Sequence, residues 1–274
     1  MASSSIVYLF SQPLVNRNED VELEVLDCST EREIIKDVIK NSDRRSIRFR
    51  SCCATIANVD KLFKNENTVV HFAAHGSEDR KQGITFESSK GEAVVPTIED
   101  LRKFIPISGE KDRIKILFVS ACHSEASGKA FEEANAARHI VAVNQRISDK
   151  MSEHFTKSFY QALFAGSNVQ KAFENAKLAT IIDDPQSSTS SGRSAAASMF
   201  LLLPRDHTCT QDCCYFPRQL IGTGTTDIVD SITRNYCVAL LPEKKFVGRC
   251  RPMQIIYSYL VDNHCVVTVT GVFE

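Results

Sequence analysis

Two short apolar runs constrain the fold of this chain most, because each predicts a buried strand that ends on a reactive side chain. Residues 69–74 lead to His75-Gly76, and residues 116–121 lead to Cys122-His123. Continuous apolar runs of this length are typical of parallel strands whose two faces are both covered. Functional groups gather at the carboxyl ends of such strands, so we expect His75 and Cys122 to face each other at one edge of a sheet.

The first 204 residues alternate between strand-like and helix-like segments. Strand patterns are found at 6–10, 21–26, 47–52, 68–74, 114–119, 139–143 and 197–203, and a small hairpin is expected over 84–95. Helical spacing is found at 29–39, 54–63, from 97, and at 126–135, 149–164 and 169–182. The first two strands are expected to form a hairpin, and Thr30 with Glu33 forms a capping box for the first helix. The alternation predicts one doubly wound α/β domain over residues 6–204.

Composition limits the classes of partner. The 33 basic and 34 acidic residues give a net charge of −1, which offers no general attraction to nucleic acid or an anionic membrane. No segment approaches the ~20 apolar residues of a membrane-spanning helix. Ten cysteines without a secretory signal indicate reduced thiols and a cytoplasmic protein. We therefore expect a polypeptide or another chemically specific partner.

A cysteine and a histidine at neighbouring strand ends are suited to nucleophilic catalysis. A free thiol has a pKa of about 8.5, so an imidazole must take its proton at neutral pH and return it to the leaving amine. The N–H groups of Gly76 and Cys122 are candidate donors for the oxyanion. The helix after Cys122 favours a thiolate through its dipole. The alternative is that Cys122 is a buried small residue and His75 a loop residue; His71, expected in the core, and His123, expected to point away, are weaker candidates for the base.

The chain resembles the CHAT peptidases of the caspase, separase and gingipain clan between Ile6 and Leu203. The resemblance is carried by His75-Gly76, Ser120-Ala121-Cys122, the strand 140–143, Ser148-Asp149, Phe155, Phe159-Tyr160, Leu163, Gly166, Val169, Ala172-Phe173 and Ala176. It implies a caspase-like three-layer sandwich with a mostly parallel sheet of about six strands. It also implies a Cys122 and His75 dyad that cleaves peptide bonds without a metal or cofactor. The separation of His75 and Cys122 in the sequence fits the roughly 50 residues between the catalytic His and Cys of caspases. The caspase signature Gln-Ala-Cys-x-Gly around the Cys is absent. His123 directly follows Cys122, where a small or polar residue is more usual in the family.

Asp149 has two possible roles. At the start of a helix, Ser148 or Asp149 would cap free N–H groups. In the resemblance to separases, an acidic residue of this turn contacts a basic side chain of the substrate. That reading makes Asp149 a substrate-binding residue and predicts Arg or Lys before the cleaved bond.

The remaining sequence is expected to form a linker over 205–245 and a further segment over 246–274. Phe246-Val247-Gly248-Arg249 and the apolar residues that follow resemble the entry to an NB-ARC-like P-loop NTPase module. No Gly-Lys-Ser/Thr loop follows, so nucleotide binding is not expected. We expect a truncated module, with assembly through modules missing from this chain; an ordinary terminal hairpin is the alternative. The cluster His207, Cys209, Cys213 and Cys214 lacks a paired Cys-x-x-Cys, so free thiols are favoured over zinc.

These observations predict a cysteine endopeptidase that acts on protein substrates, with a regulated signalling role. The rival hypothesis is a catalytically weak, caspase-like interaction module of a larger NTPase scaffold. The presence of both His75 and Cys122 favours catalysis, since a binding module does not need the pair.

Overall fold

A computed structural model of the chain describes residues 4–13, 26–42, 47–89, 91–104, 114–183, 198–204, 214–216 and 228–229. The elements are, in chain order, β1 (Ser4–Phe10), α1 (Cys28–Lys40), β2 (Ile47–Cys53), α2 (Ile56–Phe63), β3 (Asn67–Ala73), β4 (Phe86–Glu87), β5 (Ala93–Val94), α3 (Ile98–Phe104), β6 (Ile114–Ser120), α4 (Glu125–Glu133), β7 (His139–Val143), α5 (Asp149–Phe164), α6 (Val169–Asp183), β8 (Phe200–Leu203) and β9 (Ile228–Val229). Within these ranges, no helix has the length and apolar character needed to cross a membrane.

One sheet organises the fold, with the strand order β8-β7-β6-β3-β1-β2-β9. All neighbouring strands run parallel except β7 and β8, which pair antiparallel. From β1 the chain moves to β2 on one side and then crosses to β3 on the other. The carboxyl ends of β1 and β3 therefore flank a topological switch point, where open α/β sheets bind their ligands.

Alternating residues of the strands face two different helical layers. Ile6 and Tyr8 of β1 belong to the apolar cluster that includes residues of α1, α5 and α6. Val7 and Leu9 belong to the cluster on the other face, which includes residues of α2, α3 and α4. The predicted three-layer α/β sandwich with a mostly parallel sheet of about six strands is confirmed; the two-residue β9 adds a seventh strand at the edge.

Two local predictions differ from the structure or fall outside it. Helix α1 begins at Cys28, because the side chain of Asp27 accepts a hydrogen bond from Thr30 N at 3.0 Å and caps the helix. The predicted capping box of Thr30 with Glu33 is therefore wrong, and Glu33 pairs with Lys36 at 2.9 Å instead. The predicted strand 21–26, and the hairpin built on it, lie almost wholly outside the described residues.

Two described pieces of the predicted linker lie against the domain. Phe216 is buried, with its ring centroid 5.0 Å from that of Phe164, and Cys214 Sγ donates to the carbonyl of Gly166 at 3.3 Å. Strand β9 pairs with β2. The boundaries at 204 and 245 remain predictions, and the segment 246–274 lies outside the described residues.

Candidate active site

A cavity of about 830 Å³ opens at the carboxyl ends of the parallel strands. Its walls come from segments that follow β1, β3, β6 and β7, namely parts of 26–31, 73–78, 120–123 and 146–153. The cavity contains all four residues predicted for the site, His75, Gly76, Cys122 and Asp149. The doubly wound topology brings these residues together, since each follows the carboxyl end of a strand at the same edge.

Cys122 lies in the turn between β6 and α4 and is half-buried. Its thiol points to the carbonyl of Ile147, with Sγ to O at 3.8 Å. Ser124, the N-cap residue of α4, anchors the turn: its hydroxyl donates to Val119 O at 3.2 Å and accepts from Val143 N at 2.9 Å. The nucleophile candidate is thus held between two sheet strands, just before the amino end of a helix.

His123 makes this turn sharp. Its φ of 52° lies in the left-handed region, which non-glycine residues adopt at a cost. Its N–H donates to Gln145 O at 3.3 Å, and its ring lines the cavity with Nε2 3.8 Å from Glu78 Oε1. That His123 points away from Cys122 stays a prediction, because a place in the cavity lining does not test it. The left-handed backbone turns the ring toward the loop after β3.

Gly76 places the His75 turn directly on the Cys122 turn. A Cβ atom at position 76 would lie 1.6 Å from the carbonyl oxygen of Cys122 and 2.8 Å from its carbonyl carbon. No side chain fits there, so only glycine allows the two backbones this close approach. His75, half-buried, is held on the other side, where its carbonyl accepts from Thr85 N at 2.9 Å. The two predicted partners therefore sit on turns in direct contact.

His71 is part of the core, as predicted. Its side chain is fully buried and its ring lies between Tyr8 and Phe118, with centroid distances of 5.2 and 4.4 Å. Nδ1 is 3.1 Å from the hydroxyl of Tyr160. These contacts hold the ring in one orientation beneath the cavity.

Asp149 is exposed at the rim, as the first residue of α5. Capping falls to Ser148, whose side chain accepts from Met151 N at 3.3 Å. Asp27 and Glu153 line the same wall. Partial burial raises the pKa of Glu153, and the nearby negative charges of Asp27 and Asp149 raise it further. Like charges crowd this wall.

Sequence reasoning missed Glu31, a buried carboxylate that lines the floor of the cavity. Burial raises the pKa of Glu31, but His71 and the hydroxyls of Ser120 and Thr156 lower it by more, so the pKa lies below its ordinary value. Its position offered a signal: Glu31 precedes Ile35 and Ile39 of α1 by four and eight residues, which puts a charge on the apolar face of the helix. A charge on such a face is almost never buried without partners.

Among the described residues, no three His, Cys, Asp or Glu side chains are grouped so that they could hold a metal ion. Of the cluster weighed for zinc, only Cys214 belongs to the described part of the chain. The other three lie outside it.

The model of the CHAT domain family matches residues 23–210. The chain belongs to the CHAT family. This match spans the cavity and both of its contacting turns, so the site lies within the CHAT domain. No curated protein matches the sequence.

Solved structures of a bacterial cysteine proteinase are among those similar to this CHAT protein. The Arg-specific cysteine proteinase gingipain R (RGPB) has a TM-score of 0.48 and 10% identity, over 72% of this chain and 45% of that one. The complex of the Porphyromonas gingivalis RgpB pro- and mature domains has a TM-score of 0.47 and 10% identity, over 73% and 46%. The chain thus covers less than half of either relative.

Proposed function

We propose that this CHAT protein is a cysteine endopeptidase in which Cys122 is the nucleophile and His75 the general base. The observation that carries the proposal is the contact between Gly76 and the Cys122 backbone inside one cavity. It supports the pairing because the backbone next to His75 lies against the backbone of Cys122, independently of their spacing in sequence. Catalysis by such a pair needs no metal or cofactor.

The reaction begins when the Cys122 thiol leaves the carbonyl of Ile147 and gives its proton to His75. The thiolate attacks the carbonyl carbon of the peptide bond, and the oxyanion accepts hydrogen bonds from the N–H groups of Gly76 and Cys122. His75 returns the proton to the leaving amine, which breaks the C–N bond. Water, deprotonated by His75, then hydrolyses the thioester and frees the thiol.

The preferred substrate carries Arg or Lys before the cleaved bond. Asp149, Asp27 and Glu153 line one wall of the cavity, and their mutual repulsion is relieved when a cation lies between them. Arg146 also lines the cavity. The three carboxylates belong to two separate parts of the fold, since Asp27 caps α1 whereas Asp149 and Glu153 lie on α5.

The test uses a peptide panel that varies only the residue before the cut, with the wild type, Cys122→Ala, His75→Ala and Asp149→Asn. We expect Arg and Lys peptides to be cleaved, both dyad variants to lose at least about 10³-fold in kcat/KM, and Asp149→Asn to lose selectivity for basic peptides. Cys52→Ala is the matched control, since Cys52 is a half-buried free cysteine on β2. Equal turnover of acidic and basic peptides removes the substrate preference.

A peptidyl thiol-reactive probe separates catalysis from binding. Labelling of wild type and Cys122→Ala to the same extent would show that Cys122 is not the nucleophile, and would favour the interaction-module hypothesis. A cytoplasmic location, a regulated signalling role, protein partners and an NB-ARC-like continuation of the chain remain parts of the proposal.

A further inference from the structure

Four elements converge on the buried carboxylate of Glu31 beneath the cavity. Its Oε1 accepts hydrogen bonds from Ser120 Oγ at 2.8 Å, Thr156 Oγ1 at 2.9 Å and Ser152 Oγ at 3.3 Å. Nε2 of His71 lies 3.3 Å from the same oxygen. One atom of α1 thus joins β3, β6 and α5. We call these five residues the Glu31 hub.

The hub has little freedom to rearrange. A buried carboxylate without hydrogen-bond donors is strongly destabilising, so the hydroxyls cannot rotate away from Glu31 without a loss of stability. Ser120 and Ser152 are also 3.0 Å apart, which ties the end of β6 to α5 directly. The His71 ring is fixed by its aromatic neighbours and Tyr160. The hub therefore fixes both the position and the orientation of β3 and β6.

The hub sits one layer below the candidate dyad. Strands β3 and β6 are neighbours, with Ala73 opposite Ser120. His75 follows Ala73 by two residues and Cys122 follows Ser120 by two, so base and nucleophile occupy equivalent places beyond the paired ends. If β6 shifted relative to β3 at Ser120, the distance between the Cys122 thiol and the His75 imidazole would change with it.

We propose that Glu31 is a positioning residue, which fixes the ends of β3 and β6 and thereby the geometry of His75 and Cys122. The inference rests on the proposed peptidase function. Glu31 is assigned no contact with substrate, because Oε1 already faces four groups of the protein. The titratable groups around it are His71 on β3, Tyr8 on β1, Tyr160 and Glu153 on α5, and Asp27 and Arg32 near it in the chain.

The test compares Glu31→Gln, Ser120→Ala and Ser127→Ala. Glutamine keeps the shape of Glu31 but loses its charge, and Ser120→Ala removes the one hub hydroxyl on β6. Ser127→Ala is the matched control: its hydroxyl accepts from Ile84 N at 3.1 Å, is buried, and lies in α4 away from the cavity wall. The three proteins are compared by urea unfolding, by kcat and KM on an arginyl peptide, and by the rate at which iodoacetamide alkylates Cys122.

We expect Glu31→Gln to slow alkylation of Cys122 and to lower kcat by about tenfold or more, with KM within threefold. Ser120→Ala slows alkylation and lowers kcat by a smaller factor. Ser127→Ala keeps the alkylation rate and kcat within twofold of wild type, even where it loses as much stability as Glu31→Gln. The proposal is wrong if Glu31→Gln is only less stable, with alkylation and kcat unchanged, or if KM alone rises. Slower alkylation in a chain whose wild type cleaves no peptide would support the positioning role and reject the peptidase.

Discussion

Replacement of Gly76 by alanine tests the contact between the two turns most directly. The new Cβ atom would lie 1.6 Å from the Cys122 carbonyl oxygen, whereas Cβ atoms essentially never approach another heavy atom closer than 3.0 Å. One turn must therefore retreat by at least about 1.4 Å. The atom in the way belongs to the backbone, so no side-chain rotation relieves the overlap.

The displacement is large on the scale of catalysis. A misplacement of about 1 Å costs roughly 10²-fold in rate, so we expect kcat/KM of Gly76→Ala to fall by more than about 10²-fold, equivalent to ~2.7 kcal/mol. Overpacking also lowers the free energy of unfolding by about 1–3 kcal/mol. The assays are cleavage of an arginyl peptide, alkylation of Cys122 and urea unfolding.

Gly83→Ala is the control for the same chemical change. Its Cβ would meet Leu101 Cδ1 at 2.6 Å, the end of a flexible side chain that can move. We expect a loss of stability within the same range but activity within about twofold of wild type. If folded Gly76→Ala retains activity within threefold of wild type, the turns do not touch in the working enzyme and the geometric argument fails.

Three further predictions follow from the charges and the core. As the pH falls below the ordinary Glu pKa of about 4.3 and through the lower folded pKa of Glu31, the wild type loses stability, since the unfolded chain binds that proton first. Glu31→Gln lowers the free energy of unfolding by about 1–3 kcal/mol at pH 7 and makes stability fall less steeply with acid. Urea midpoints from pH 7 to 3 measure both effects. Partial burial and the negative charges of Asp27 and Asp149 raise the pKa of Glu153, so Glu153→Gln removes an unfavourable charge and raises Tm at pH 7 by about 1–3 °C. KM for arginyl peptides rises about two- to fivefold, and an unchanged KM would remove Glu153 from the substrate wall. Phe131 belongs to the buried cluster of α2, α3 and α4, so Phe131→Ala lowers the free energy of unfolding by about 3–5 kcal/mol in urea titrations. The rate of Cys122 alkylation in the native protein stays unchanged. A slower alkylation would mean that this face of the sheet also controls the site.

Helices and strands were predicted correctly where the spacing of apolar residues determines them. The predicted helix 149–164 coincides with α5, because Ser148 caps it and Phe155, Phe159 and Leu163 recur on one buried face. The strand 139–143 coincides with β7 for a related reason, since all five residues are buried. Local patterns of this kind need no knowledge of distant partners.

The deeper part of the site was not accessible in the same way. Glu31 has the local pattern of an acidic first-turn residue, which the helix dipole alone would explain. Its hydroxyl partners lie 89 to 125 positions away in the chain, so no window of sequence contains both ends of these bonds. The close approach at Gly76 is a backbone contact across two strands, and the sequence shows only a glycine after a histidine. The place of His123 near Glu78 was not predicted, because a left-handed φ at a non-glycine residue has no sequence signal here.

The long reach of the hub has a consequence for the order in which the protein acquires activity. Thr156 and Ser152 are 125 and 121 positions from Glu31, and both belong to α5, which is made after β3, β6 and Cys122. A growing chain that has not yet released α5 from the ribosome therefore contains Cys122 but lacks two of the donors that hold Glu31. Contacts between distant parts of a chain also form late in folding. On the positioning role proposed for Glu31, a nascent or truncated chain would cleave peptides at least about tenfold more slowly than the whole domain, and full proteolytic activity would report that the domain has been made and folded as a whole.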